Sequence, residues 1–332
     1  LSENPVVVEA TRGGRVESAH RGAGAVVDAD GALVFAFGDI VRPVFPRSAV
    51  KAIQALPLVE SGAADRFKLT GEELALACAS HSGEPEHVAC VVGMLAKAGL
   101  DEGALACGAH WPLRAEAARG LAREGREPTP LHNNCSGKHA GFLCAACALG
   151  APVKGYETPD HIVQREVKGA VEDVSGERLD DERRGTDGCS IPTYAIPLRS
   201  LARAFARMAT GRGLGPQRAA AARRLFAAIS AHPFHVGGTG RFDTRAMTLL
   251  KGRAVTKTGA EGVFCAALPE LGLGLAVKAD DGAARAAEAM IAALIGRFIE
   301  APEGFATLAR PKLMNWRGAE VGEIRPAGAL AS

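Results

Sequence analysis

Apolar residues at both ends of the chain come in short runs, and in the middle they recur at helical spacing. Residues 5–37 read as strands: Val6-Val7-Val8 opens one, and the run from Gly24 to Phe35 is a hairpin with Asp30-Gly31 as its turn signal. Pro43 and Pro46 then break the chain, and the pattern predicts a helix from Ser48 to about Glu60. Ser48 would sit in its first turn, where unsatisfied N–H groups can assist an oxyanion. Helical segments follow at 71–79, 85–98, 113–123, 137–149, 158–174, 198–210 and 215–231, interrupted at Cys189–Tyr194 by a loop or short strand. After Asp243 come a helix, strand-like runs at 253–257, 262–267 and 271–277, a helix from Gly282 to about Ile299 and a last strand near 321–324. This order predicts an α/β fold in one functional unit, 1–332. A mixed or antiparallel sheet from both chain ends (about 1–40 and 250–330) would pack with a large helical region, about 48–235.

Composition narrows the partner. Lysine plus arginine is 39 against 37 acidic residues, and the charges are interspersed, so neither a nucleic-acid nor a membrane field is expected. Twelve phenylalanines, two tryptophans and two tyrosines in 332 residues offer few stacking platforms for bases, which leaves a small molecule as the expected ligand. No export-signal pattern and no bilayer-length apolar run is present, which predicts a cytoplasmic location. The eight cysteines are scattered, several in Ala-rich apolar runs, and read as small buried hydrophobes rather than a disulfide framework.

The chemistry concentrates in a few strings. Ser48-Ala49-Val50-Lys51 places a hydroxyl and an amine one helical turn apart, and Lys257-Thr258-Gly259 follows far along the chain. Ser-x-x-Lys with a distant Lys-Thr-Gly belongs to the signature of serine β-lactamases and penicillin-binding proteins. Either string alone is weak, since a solvated lysine beside a helix-capping serine looks the same. Cys78-Ala79-Ser80-His81-Ser82-Gly83-Glu84 follows an apolar helix, its hydroxyls expected in a cleft or in solvent. Helix capping before Pro85 is the plainer reading.

His132-Asn133-Asn134-Cys135-Ser136-Gly137-Lys138-His139 precedes a buried helix, where so many polar groups are unfavourable unless used. Its Gly-Lys pair is no phosphate loop, because His139 stands where Ser or Thr is required. Thr186 to Pro192 carries a second polar-loop cysteine, and Cys135 with Cys189 would suit zinc. The spacing falls short of a paired Cys-x-x-Cys site, so two ordinary thiols remain the alternative. The run from His235 to Asp243 resembles a nucleotide loop only superficially, because it follows no strand, and reads as a mobile cleft wall carrying Arg241.

Arg47–Lys51, Cys78–Glu84, Cys107–His110, Asn133–His139, Asp187–Pro192, Gly237–Asp243 and Lys257–Gly262, in this order, together resemble the Rhizobium etli type, class 3, L-asparaginases over nearly the whole chain. The resemblance implies a fold akin to serine β-lactamases and glutaminases, a homodimer, and hydrolysis of L-asparagine to L-aspartate and ammonia. It implies two Ser-Lys tandems as catalytic groups, Ser48 with Lys51 and Ser80 with Lys257. It further implies a Zn2+ site at Cys135, Lys138 and Cys189 with Asp187 nearby, a lysine ligand that spacing would never suggest. In such a mechanism Ser48 attacks the side-chain amide, unprotonated Lys51 takes its proton, and Ser80 relays that proton to the departing ammonia. Burial and the nearby Lys257 cation would both favour the neutral Lys51 amine. Charge complementarity suggests Arg47 and Arg241 for the substrate carboxylate and Asp187 for its α-ammonium, with His139 a further substrate-binding residue.

The rivals are a glutaminase, a β-lactamase-like serine acylase, and a non-catalytic zinc-dependent amino-acid sensor. One methylene separates asparagine from glutamine and gives only about 1–3 kcal/mol of discrimination. Against the acylase, Ser80-His81-Ser82 lacks the terminal Asn of that motif.

Overall fold

The apolar runs at the two chain ends pair with each other. In the computed structural model, which describes residues 3–331, the strands are β1 (Val6–Arg12), β2 (Arg15–Asp28), β3 (Leu33–Phe37), β4 (Val255–Thr258), β5 (Val263–Leu268), β6 (Leu273–Ala279), β7 (Lys312–Met314) and β8 (Glu320–Pro326). Leu1, Ser2 and Ser332 of the expected 1–332 unit lie outside the described residues. The sheet runs β7-β8-β1-β2-β6-β5-β4, with β3 also paired to β2, and every pairing is antiparallel. The expected antiparallel sheet from both ends is therefore the one formed. The Asp30-Gly31 turn forms as its sequence signals: Asp28 Oδ1 accepts the N–H groups of Asp30, Gly31 and Ala32 at 3.0, 2.9 and 2.8 Å.

The chain packs as two compact units. One comprises the residues up to Ala49, Ala195–Gly213 and those from Ala246 onward, and the other Val50–Tyr194 with Leu214–Arg245. The Leu198–Thr210 helix, inside the stretch read as the helical region, packs on β2, β5 and β6 and belongs with the sheet. Gly274 of β6 lies under this helix, and a Cβ there would meet the backbone of Ala202 and Ala206. Gly22 of β2 pairs with Ala279, five residues beyond Gly274 and so on the opposite face, where it lies under Met290 of the Ala284–Phe298 helix. Helices thus cover both faces, which is why β5 is buried along its whole length. Gly274→Val is expected to destabilise the protein by about 3 kcal/mol, because backbone rather than a yielding side chain stands in the way. Urea unfolding with an unchanged midpoint would remove Gly274 from this role.

The other unit is helical: Gly71–Ala77, Pro85–Lys97, Ala115–Arg123, Ser136–Ala148, Ile162–Ser175 and Pro216–Ala231. Local chemistry sets their starts. Thr70 and Glu73 form a capping box, and prolines open the helices at 85 and 216, where a missing N–H leaves nothing unsatisfied. The Ser136–Ala148 helix is buried from Ser136 to Ala146. A ribbon pairs Arg184–Thr186 with Pro192–Tyr194.

The helix expected from Ser48 to Glu60 does not form as one piece. A 3-10 turn, Arg47–Val50, is followed by Lys51–Gln54 and, after a break at Ala55, by Leu56–Glu60. Pro57 lacks the N–H that would bond Ile53 O, and its ring crowds that carbonyl. Among the described residues no helix is long and apolar enough to cross a membrane.

Candidate active site

Lys51 is the centre of the helical unit's polar core. It is fully buried, and its Nζ donates to Ala79 O at 2.6 Å, Ser80 Oγ at 3.0 Å and Cys135 Sγ at 3.1 Å. An ammonium has three N–H donors, so these partners account for all of them. The structure thus brings Lys51 to Ser80, joining one member of each expected Ser-Lys tandem.

Ser80 and Ser82 are buried rather than in solvent, and neither caps the Pro85–Lys97 helix, which corrects the capping expectation. They are 3% and 1% exposed, and Glu84 caps the Pro85–Lys97 helix, its backbone N–H donating to His87 Nδ1 at 3.2 Å. Ser82 instead donates to Gly237 O at 2.8 Å, while Glu84 accepts the Thr239 N–H at 2.8 Å and hydroxyl at 2.6 Å. Hydrogen bonds at Gly237 and Thr239 thus tie the start of the Gly237–Asp243 loop to Ser82 and Glu84. Arg241, half-buried, lies just beyond the pinned residues.

His81 ties the Ser80 segment to the helix that carries Lys138. Its Nδ1 accepts the Gly83 N–H at 3.2 Å, and its Nε2 lies 2.9 Å from Ser136 Oγ, whose own proton goes to Leu131 O at 2.8 Å. Burial, with the nearby His87 and Lys51, holds this imidazole well below its usual pKa and so neutral. The polar loop before the helix is likewise used. Asn133 Nδ2 donates to Cys107 O and Gly108 O, its Oδ1 accepts the Cys135 N–H at 2.8 Å, and His110 Nε2 accepts the Asn134 N–H at 2.9 Å. That explains the density of polar residues there.

Cys135, Lys138 and Cys189 meet, although Cys189 comes from the distant ribbon. Lys138 Nζ donates to Cys189 Sγ at 3.0 Å, and Cys189 in turn hydrogen-bonds Cys135. That bond, with the lysines Lys51 and Lys138, holds Cys135 well below the ordinary thiol range despite its burial, while Cys189, the donor, is pushed up. Cys90, Cys107 and Cys144, by contrast, are pushed up to about 12 chiefly by burial and behave as the expected small hydrophobes. Burial pulls Lys138 down, but the sulfurs of Cys189 and Cys135 outweigh it and hold the ammonium.

Two sulfurs and an amine suit zinc, provided Lys138 gives up its proton as the ion enters. Among the described residues no three His, Cys, Asp or Glu side chains gather for a metal, so Lys138 would be an indispensable ligand. The turn that presents Cys189 is tight. Asp187 N–H bonds Ile191 O at 2.8 Å, Asp187 Oδ1 accepts the Gly188 N–H, and Ser190 adopts φ +77°. Relieving that left-handed strain, Ser190→Gly is expected to stabilise the protein by about 1 kcal/mol in thermal unfolding.

Arg47, Ser48 and Lys257 are carried by the sheet unit. Ser48 is half-buried in the 3-10 turn behind Pro46, and Arg47 holds φ +51°, a second left-handed non-glycine. Lys257, on β4, is 1% exposed and donates to Thr258 O at 2.7 Å. His139 is buried on the Ser136–Ala148 helix with Nδ1 2.7 Å from Tyr156 Oη. Tyr156 was missed in the sequence, where its one signal is that it is one of only two tyrosines.

The family model for L-asparaginase II matches residues 8–326. No curated protein matches the chain. Among solved structures it is similar to a β-lactamase from Mycobacterium bovis, at 14% identity over 80% of this chain and 89% of that one, with a TM-score of 0.40. It is similar to Mglu in its native form at 16% identity over 86% and 66% of the two chains (TM-score 0.44), so it spans about two thirds of Mglu. To simvastatin synthase from Aspergillus terreus it is similar at 12% identity over 78% and 86% (TM-score 0.37). Identities this low say nothing about the chemistry of the site.

Proposed function

Since the chain belongs to the L-asparaginase II family, and is thus an amidohydrolase acting on a small molecule, we propose that it hydrolyses L-asparagine to L-aspartate and ammonia by serine-lysine chemistry. The observation that carries this reading is the buried Lys51 amine on Ser80 Oγ, at 3.0 Å. A structural lysine would rarely be buried completely with a serine hydroxyl and a thiol of lowered pKa as partners. Ser48 is the nucleophile and attacks the side-chain amide carbonyl. Lys51, once unprotonated, takes the Ser48 proton and passes it through Ser80 to the departing ammonia, and water then cleaves the aspartyl ester. Lys257 is the lysine of the second Ser-Lys tandem. Arg47 and Arg241 hold the substrate carboxylate, Asp187 its α-ammonium, and His139 a substrate oxygen.

Cys135, Lys138 and Cys189 would hold a Zn2+ ion, which supplies Lewis acidity and a fixed positive charge. The active form is a homodimer in the cytoplasm. Ammonia release by the purified protein from L-asparagine and L-glutamine, with ring opening of a penicillin followed by absorbance, tests the reading: asparagine is expected to be turned over fastest. Faster glutamine turnover would make the protein a glutaminase. Binding of asparagine without turnover would make it a sensor.

The zinc proposal has its own test. Protein prepared without chelators is expected to contain close to one zinc per chain, and stripping the metal to lower the melting temperature. Cys135→Ala or Cys189→Ala is expected to raise KM more than it lowers kcat, if the ion positions substrate. Metal-free protein from such a preparation would sink the site.

A further inference from the structure

The hydroxyl of Tyr156 stands between two nitrogens. It accepts the backbone N–H of Ala106 at 2.9 Å and lies 2.7 Å from Nδ1 of His139. A backbone N–H can only donate, so the single tyrosine proton is left to point at Nδ1, and Nδ1 must accept it. The His139 proton therefore sits on Nε2, an assignment that follows from the hydrogen-bond network. Nε2 is buried and, among the described residues, has no hydrogen-bond partner. A buried N–H left unpaired costs about 1–3 kcal/mol, a penalty that a ligand oxygen would remove.

Nothing about Tyr156 looks adjustable. It is 1% exposed, its carbonyl accepts the Gln164 side-chain amide at 3.0 Å, and its ring meets His139 edge-on with centroids 5.5 Å apart.

We propose that Tyr156 is a positioning residue that locks His139 as the Nε2–H tautomer, so that the ring presents a fixed donor to an oxygen of the substrate. The fixed donor also rejects the substrate's ammonium end, which has only N–H groups to offer. This inference rests on the amidohydrolase reading above, and its test separates the two.

Long-range nitrogen–proton NMR of the full chain is expected to show one His139 tautomer, with the proton on Nε2, and in Tyr156→Phe a mixture. KM for L-asparagine in Tyr156→Phe is expected to rise about tenfold with kcat changed far less, as for one lost hydrogen bond used in binding. His139→Gln keeps an amide N–H near the Nε2 position and is expected to hold KM closer to wild type than His139→Asn, whose amide mimics Nδ1. That pair of variants leaves Tyr156 in place and needs no tyrosine substitution to fold.

3-Aminopropanamide lacks the α-carboxylate. A KM rise confined to L-asparagine assigns His139 to that carboxylate, and one shared by both substrates assigns it to the amide oxygen. A wild-type proton on Nδ1, or an unchanged tautomer in Tyr156→Phe, overturns the lock. A lowered melting temperature with the tautomer intact overturns it too, because Tyr156 would then be merely structural. Absence of asparagine turnover in the wild type would defeat the functional reading, while the ring spectrum still decides the lock.

Discussion

Ser48→Ala is expected to release ammonia from L-asparagine about 10⁴- to 10⁶-fold more slowly than wild type, with the melting temperature nearly unchanged. The size follows from removing a nucleophile that acts as one unit with its base, where a single deletion forfeits almost all of the covalent chemistry. The small structural effect follows from position: Ser48 is a half-buried residue of a four-residue 3-10 turn, so losing one hydroxyl there opens no cavity. Intact-mass measurement after a rapid quench of wild type with a slow amide substrate should show an adduct on the peptide containing Ser48. An adduct on Ser80 would exchange the two roles, a swap that the Lys51–Ser80 hydrogen bond makes chemically reasonable.

Lys51→Met is expected to be nearly as damaging to activity and, unlike Ser48→Ala, damaging to the fold. Methionine fills much of the same space but cannot donate, so Ala79 O, Ser80 Oγ and Cys135 Sγ lose a common partner inside a buried core. Removing one member of a buried charged network costs about 3–5 kcal/mol. Turnover is expected to fall by about 10²- to 10⁴-fold with the loss of general-base assistance. Circular dichroism melting and ammonia release, measured on the same preparation, check both effects. Unchanged stability would mean that these hydrogen bonds contribute nothing net. Unchanged turnover would remove Lys51 from the chemistry.

Much of this was legible because the chain states its local preferences strongly. The Asp30-Gly31 turn, Pro85 and Pro216 at helix starts, and the apolar runs of β5 and β6 all lead where their sequence points. The break at Ala55 was equally legible. Pro57 announces it, although the apolar spacing on either side of the proline favours one continuous helix. Partners across the chain were harder. Spacing of three points to Ser48 for Lys51, but no local pattern points to Ala79 O and Ser80 Oγ, which the buried amine reaches at the turn after the Gly71–Ala77 helix. The meeting of Cys135, Lys138 and Cys189 depends on a ribbon folding back onto a helix start; the polar loops point to the two cysteines, and only the family resemblance adds Lys138. Tyr156 could not have been singled out, because its role lies in two nitrogens, Ala106 N and His139 Nδ1, that no local pattern connects to it.

The seat of the Leu198–Thr210 helix on Gly274 has a bearing on engineering. Because backbone meets backbone there, enlarging a residue and shrinking one are not symmetrical operations. A saturation library of the sheet unit should tolerate trimming at many apolar sites, yet return almost nothing but glycine at 274. Codon-randomised survivors at that position would then measure the spacing of the layers without any structure being solved.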